Sequence, residues 1–152
     1  MMQPVKIHIY SQSSGKDAAE QIETVAYGTL TEKNNKFYVL YEEPEASGMA
    51  GTKTTLKWDT ERVILLRRGT VESRQEFAGE LADVSVYRTP YLTLELRTVT
   101  EYIYIYHRDK VWHIELEYAL EIGGEPHSKM KLRLEIEEDV KREDEGSTGC
   151  CH

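Results

Sequence analysis

Apolar side chains recur at every second position through most of this chain, and that spacing persists longest near its end. Trp112, Ile114, Leu116, Tyr118, Leu120 and Ile122 share one parity; after the sequence GGEPH, Met130, Leu132, Leu134 and Ile136 continue it. A period of two belongs to a β-strand with one buried face, because successive side chains leave opposite sides of the pleat. On the alternate positions, Glu115, Glu117 and Glu121 stand against Lys129, Lys131 and Arg133. Burial and charge therefore both specify a hairpin. With GGEPH as a five-residue loop, the expected register puts Leu120 opposite Met130, Tyr118 opposite Leu132 and Leu116 opposite Leu134. Glu121 then meets Lys129, and Glu117 meets Arg133.

The same period runs through the rest of the chain. Val5, Ile7 and Ile9 alternate with Lys6, His8 and Tyr10. Phe37, Val39 and Tyr41 interleave with Tyr38 and Leu40, so both faces are expected to be partly covered there. Thr54, Leu56 and Trp58 alternate with lysine and threonine, and Val63 to Leu66 is a short apolar centre closed by Gly69. Val71 to Phe77 follows at hairpin distance, so Arg68-Gly69-Thr70 reads as a tight turn. Leu92, Leu94 and Leu96 lie on even positions, whereas Ile103 and Ile105 lie on odd ones. A strand keeps its buried face through such a switch only with a bulge or turn, expected between Arg97 and Glu101. No long helical pattern occurs; Asp17 to Val25 has room for a helical turn or two.

Nine or so strands in about 135 residues, joined by short turns, require a sandwich or a closed barrel. A barrel gives each strand one inward face and removes exposed edges, so the expected fold is all-β: an antiparallel up-and-down barrel of about 8–10 strands. A chain of 152 residues is long enough for one real core and short for two. The barrel domain is read as residues 1–137. Residues 138–152 are read as an acidic, disordered tail, because Glu137 to Glu145 (EEDVKREDE) carries half of the net charge of −8.

Charge and composition exclude several classes of function. An acidic chain with no basic stripe is a poor partner for nucleic acid or an anionic membrane. The start, MMQPVKIHIYS, lacks the cationic and apolar segments of a signal peptide, and no apolar run approaches membrane-spanning length. Both cysteines, Cys150 and Cys151, lie at the extreme end and cannot frame a disulfide fold. A cytoplasmic protein is expected.

The residues Tyr41-Glu42-Glu43, the Ser47-Gly48 to Gly51-Thr52 loop and Thr54-Thr55-Leu56-Lys57 come in order along the chain. They are followed by Val63 to Leu66 with Arg67-Arg68-Gly69, then Val71, Phe77, Thr89-Pro90-Tyr91, Leu94-Glu95-Leu96 and Glu117-Tyr118. This series resembles the YwiB-like family of uncharacterised bacterial proteins over roughly residues 4 to 137, by order and spacing rather than by any single motif. The resemblance implies a lipocalin-like (calycin-like) β-barrel and no known activity or cofactor. Two positions depart from the family pattern: Leu92, where glycine is usual, and Gln75-Glu76, where an apolar residue is common.

Chemistry is hard to assemble from these residues. The five histidines fall at no metal-ligand spacing, and neither a paired C-x-x-C nor H-E-x-x-H occurs. No G-x-S-x-G elbow is present, so no metal, cofactor or catalytic residue is assigned. The charges at strand ends are more informative. The Phe37-Val39-Tyr41 face continues to Glu43, and the Val63-Leu65 face continues to Arg67. Two inward faces thus end in opposite charges where a barrel mouth would lie: either a buried structural pair or the polar anchor of a ligand site. Ser73 and Gln75 share the face of Val71 and Phe77 and would make the interior partly polar. The candidate ligand site comprises Glu43, Arg67 and Tyr91 as polar anchors, with Tyr41 and Trp58 as apolar wall. The favoured function is binding of a small, mostly apolar molecule with one polar head. The alternative is a protein-interaction or homodimerising module with a filled barrel, motivated by the aromatic content of Tyr102 to Tyr106.

Overall fold

The computed structural model describes residues 2–15 and 19–139. Ten strands follow in chain order: β1 (Met2–Gly15), β2 (Ala19–Lys33), β3 (Lys36–Glu42), β4 (Thr52–Trp58), β5 (Arg62–Gly69), β6 (Ser73–Ala78), β7 (Ala82–Arg88), β8 (Thr93–Arg108), β9 (Val111–Ile122) and β10 (Glu125–Glu138). A single 3-10 turn, Glu45–Ser47, lies between β3 and β4. The segment with room for a helical turn belongs, from Ala19 onward, to β2 instead; its alternating Thr24, Ala26 and Gly28 pair across to β1.

All neighbours are antiparallel, in the order β6-β5-β4-β3-β2-β1-β10-β9-β8-β7. Each strand lies beside its neighbour in sequence, and the first pairs with the last. The result is an up-and-down barrel closed everywhere except between β6 and β7. There, one bridge joins Glu72 and Arg88, with each backbone N–H donating to the other's carbonyl at 2.8 Å. Further along this seam the Glu76 N–H donates to the Asp83 carboxylate at 3.1 Å rather than to a strand carbonyl. A side chain thus satisfies an edge that would otherwise be bare.

Three hairpins turn in two residues with positive φ: Asn34-Asn35, Asp109-Lys110 and Gly123-Gly124. Such turns match the right-handed twist of the flanking strands. The last of them corrects the expected register. The loop is Gly123-Gly124 alone, so Glu125 already pairs with Ile122, and an irregularity between Pro126 and Ser128 follows. Leu116 therefore faces Leu132, Tyr118 faces Met130 and Leu120 faces Ser128, two residues from the expected pairing. Lys131 meets Glu117 and Arg133 meets Glu115. Parity survives a shift of two, so the same side chains remain inside.

The parity switch in β8 occurs as a bulge: Thr100 pairs with Tyr118 and Tyr102 with Glu117, leaving Glu101 unopposed. The connection after β5 is wider than a tight turn. Gly69 still pairs with Thr52 of β4, the last β5–β6 pair is Arg67 with Ser73, and residues 68–72 cross between them. This loop is tied to β4 through Thr70 N–H to Gly51 O and Val71 N–H to Thr52 Oγ1. The outer face of β3 is partly covered at Tyr38, over whose ring Lys57 lies, and open at Leu40, which is half exposed.

The core is built from the inward parities, with Ile7, Val39, Leu56, Trp58, Val63, Phe77, Ile114, Leu116 and Ile136 all essentially inaccessible. One end of the barrel is filled by aromatic rings. Phe37, Trp58 and Trp112 lie in mutual contact with centroids 4.5–5.6 Å apart. β10 runs to Glu138, which pairs with Val5, and buried Asp139 donates its N–H to Pro4 O. Residues 140–152, which hold most of the acidic tail and both cysteines, lie outside the described residues.

Candidate functional site

Toward the other end the inward faces do not meet, and they enclose a cavity of about 390 Å³. Every strand except β4 lines it. Ile9, Ile22, Leu65, Leu96, Leu120, Leu132 and Leu134 supply apolar wall, and the Ser47–Met49 segment lies across one side. Tyr41, Glu43, Arg67, Gln75, Tyr87 and Tyr118 add polar groups. Its size falls in the range of small-molecule sites, and its mixture of apolar wall with a few converging polar groups is their usual make-up.

Each polar group arrives by a local rule of strand geometry. Tyr41 is the last inward residue of β3, and Glu43 keeps that parity one step beyond, held by its N–H to Thr52 O at 2.9 Å. Arg67 is the inward residue two positions after Leu65 on β5, directly opposite Ser73 on β6. Gln75 follows two residues later and donates from Nε2 to Thr98 Oγ1 at 3.1 Å.

Glu43 is a buried carboxylate. It accepts a short hydrogen bond from the Thr54 hydroxyl, whose residue is completely buried, and the Tyr41 phenol lies against both groups. Burial first, and the Glu43 charge second, push the Tyr41 phenol far above its usual range, while the Arg67 guanidinium pulls the other way. Burial also raises Tyr118, again opposed by Arg67. Arg67 therefore acts electrostatically on two phenols, yet no acid among the described residues lies within 4.0 Å of its nitrogens. Its Nε is buried without a hydrogen-bond partner, as is Ser73 Oγ on the facing strand.

Of the five residues expected to form a ligand site, three come together: Tyr41, Glu43 and Arg67. The other two require correction. Trp58 does face inward, but at the opposite end of the barrel, stacked on Phe37 and absent from the cavity wall. Parity assigns a face but not a height. Phe37 and Glu43 share the β3 face, yet six residues of extended chain separate them by roughly 20 Å. Tyr91 is 94% exposed in the turn between β7 and β8, where Thr89 N–H bonds Leu92 O, and it reaches no cavity. Sequence reasoning missed Tyr87. On β7 the valines Val84 and Val86 point outward, and Ser85 and Tyr87 point in. The apolar alternation there marks the wrong face, and the only available cue was a tyrosine two residues from a serine.

A larger depression, about 1020 Å³, lies at the aromatic end. Exposed turn residues, Lys33, Asn34, Asn35 and Lys110, form much of its wall. Among the described residues no group of three His, Cys, Asp or Glu is placed to hold a metal ion, and no helix is long and apolar enough to cross a membrane.

Comparison with known proteins agrees with this architecture. A family model described as "Domain of unknown function (DUF1934)" matches residues 7–134. The chain is 28% identical over 134 residues to the "Uncharacterized beta-barrel protein YwiB" of Bacillus subtilis (strain 168), covering 88% of this chain and 93% of that one. The fold is similar to the crystal structure of the ywiB protein from Bacillus subtilis, with a TM-score of 0.79 at 24% identity, over 90% of this chain and 92% of that one. The chain belongs to the DUF1934 family and is a β-barrel protein of the YwiB type.

Proposed function

We propose that this barrel binds one small, mostly apolar molecule in its interior, with the polar head of that molecule at Arg67, on the wall that also carries Tyr41 and Glu43. The observation that carries the reading is the approximately 390 Å³ cavity, in which two opposite charges share a wall without pairing with one another. A filled structural barrel would close such a space with side chains. An arginine whose buried Nε has no partner would also be an expensive way to stabilise a core. Holding one small ligand inside is what small barrels of lipocalin type do. A cytoplasmic setting belongs to the same proposal and is supported by the absence of cysteine from residues 1–149. Native mass spectrometry of protein purified from its own host tests it. A retained small molecule is expected, and Arg67→Ala should release it; a bare chain mass for well-folded wild-type protein would count against the reading.

The second reading, a homodimerising or interaction module, rests on a different surface. Tyr104 is 60% and Tyr106 43% exposed on the outside of β8. Sedimentation across a wide concentration range checks it: a monomer throughout would remove the homodimer.

A further inference from the structure

We infer that the molecule held in the cavity carries an oxyanion head, such as a carboxylate, received by Arg67 and Ser73 at the inner end of the β6–β7 seam. This rests on the cavity being a ligand site and names the chemistry of its occupant.

The inference starts from what the two charged groups lack. Glu43 already has a donor in the Thr54 hydroxyl, and the Tyr41 phenol lies beside it. The Arg67 and Ser73 side chains lack acceptors: Nε of one and Oγ of the other are buried and unpartnered. They are directly opposed residues on neighbouring strands, and such cross-strand pairs lie roughly 5 Å apart at Cβ. Two adjacent, unused donors, one of them cationic, define a site for an oxygen acceptor with negative charge. The planar guanidinium fork favours carboxylate geometry in particular.

The surroundings point to the same charge. Arg67 lines both the interior cavity and a groove of about 590 Å³ on the outside of the seam, and Ser73 lines the groove alone, so the two meet where cavity and groove adjoin. That groove is walled by Arg67, Arg68, Arg74 and Arg88 with the acid Glu72; Arg88 pairs with Glu72 and Arg74 with Glu76, which leaves Arg67 and Arg68 without an acid partner among the described residues. On a chain of net charge −8 this is a local reversal of sign, and it lies where a single bridge holds the barrel wall together. A positive groove draws anions toward its floor, and the floor here is Arg67. Behind Arg67 the walls are leucine, isoleucine and tyrosine, which suit an apolar body. At about 30 Å³ per water-sized unit, the cavity of about 390 Å³ takes a chain of about thirteen heavy atoms.

The test uses the full chain, refolded from denaturant to strip any carried molecule. Decanoate, decanol and decylamine are titrated by calorimetry. Decanoate is expected to bind at least about tenfold more tightly than either, since hydrogen bonds to a charged group carry that much discrimination. Arg67→Gln should abolish the preference. Ser73→Ala should weaken decanoate and leave decanol unchanged; it keeps the arginine and decides the matter if Arg67→Gln fails to fold. Equal binding of decanol or decylamine, insensitive to both substitutions, would overturn the oxyanion head and leave the cavity reading standing. Binding of none of the three would overturn both.

Discussion

Glu43 and Arg67 face the same cavity, and truncating each should have unequal consequences. Glu43→Ala removes the acceptor for Thr54 and the neighbour of the Tyr41 phenol, both buried hydroxyls. An unsatisfied buried polar group costs roughly 1–3 kcal/mol, so two cost about 2–6 kcal/mol. Part of this is returned because a carboxylate no longer has to be desolvated, and a net loss of about 2–4 kcal/mol is expected. Arg67→Met keeps the length of the stem and removes a cation whose Nε has no partner. No donor or acceptor is orphaned by that change, so stability should move by less than about 1 kcal/mol in either direction. Urea unfolding of the refolded proteins, followed by the fluorescence of Trp58 and Trp112, reads both values, and the double variant gives their coupling. If the two residues formed a buried structural ion pair, Arg67→Met would cost about 3–5 kcal/mol. A loss of that size, comparable to the loss for Glu43→Ala and strongly coupled to it, would refute the reasoning and leave Arg67 a structural residue.

Three further outcomes are expected. A Cβ on Gly28 would lie 2.3 Å from Leu40 O and 3.0 Å from Tyr41 Cβ; Gly28→Ala should therefore cost about 1–3 kcal/mol in urea unfolding and perturb the cavity wall, and a neutral result would show that β2 and β3 part easily. The Tyr41 phenol is raised above the ordinary tyrosine value of 10.0 in the folded state, and Tyr118 is raised too. The unfolded chain therefore loses these protons first: their stabilisation is full below pH 10 and falls as pH rises above it, by up to about 1.4 kcal/mol per pH unit for each phenol, and Tyr41→Phe should reduce the slope. Replacing Gly123-Gly124 (φ 60° and 86°) by Asn-Gly should leave the melting temperature nearly unchanged, whereas Ala-Ala should lower it by several degrees; equal tolerance of both would mean the turn does not set the β9–β10 register.

Alternation determined that this chain is all-β with one buried face per strand, and edge avoidance together with the family resemblance favoured a barrel over a sandwich; the inside of a strand is a local property, and Val39 and Tyr41, Leu56 and Trp58, Leu116 and Leu134 are buried where parity puts them. The β8 parity switch was legible for the same reason and appears as the bulge at Glu101. Parity likewise brought Tyr41, Glu43 and Arg67 to one interior. Distances along the barrel were not legible, since height depends on how neighbouring strands are staggered. This is why Trp58 lies at the filled end and Tyr91 in solvent. Turn length was ambiguous too: GGEPH offered a five-residue loop, and only the pairing of Ile122 with Glu125 showed that the two glycines suffice. On β7, valines face solvent and Tyr87 faces the cavity, because that strand must close the seam opposite β6 rather than bury its most apolar side. Whether the interior was filled or hollow, and that Arg67 stands opposite Ser73 with neither one partnered, are sums over all the strands around the barrel. No local pattern encodes such a sum, and only the closed tertiary structure decided it.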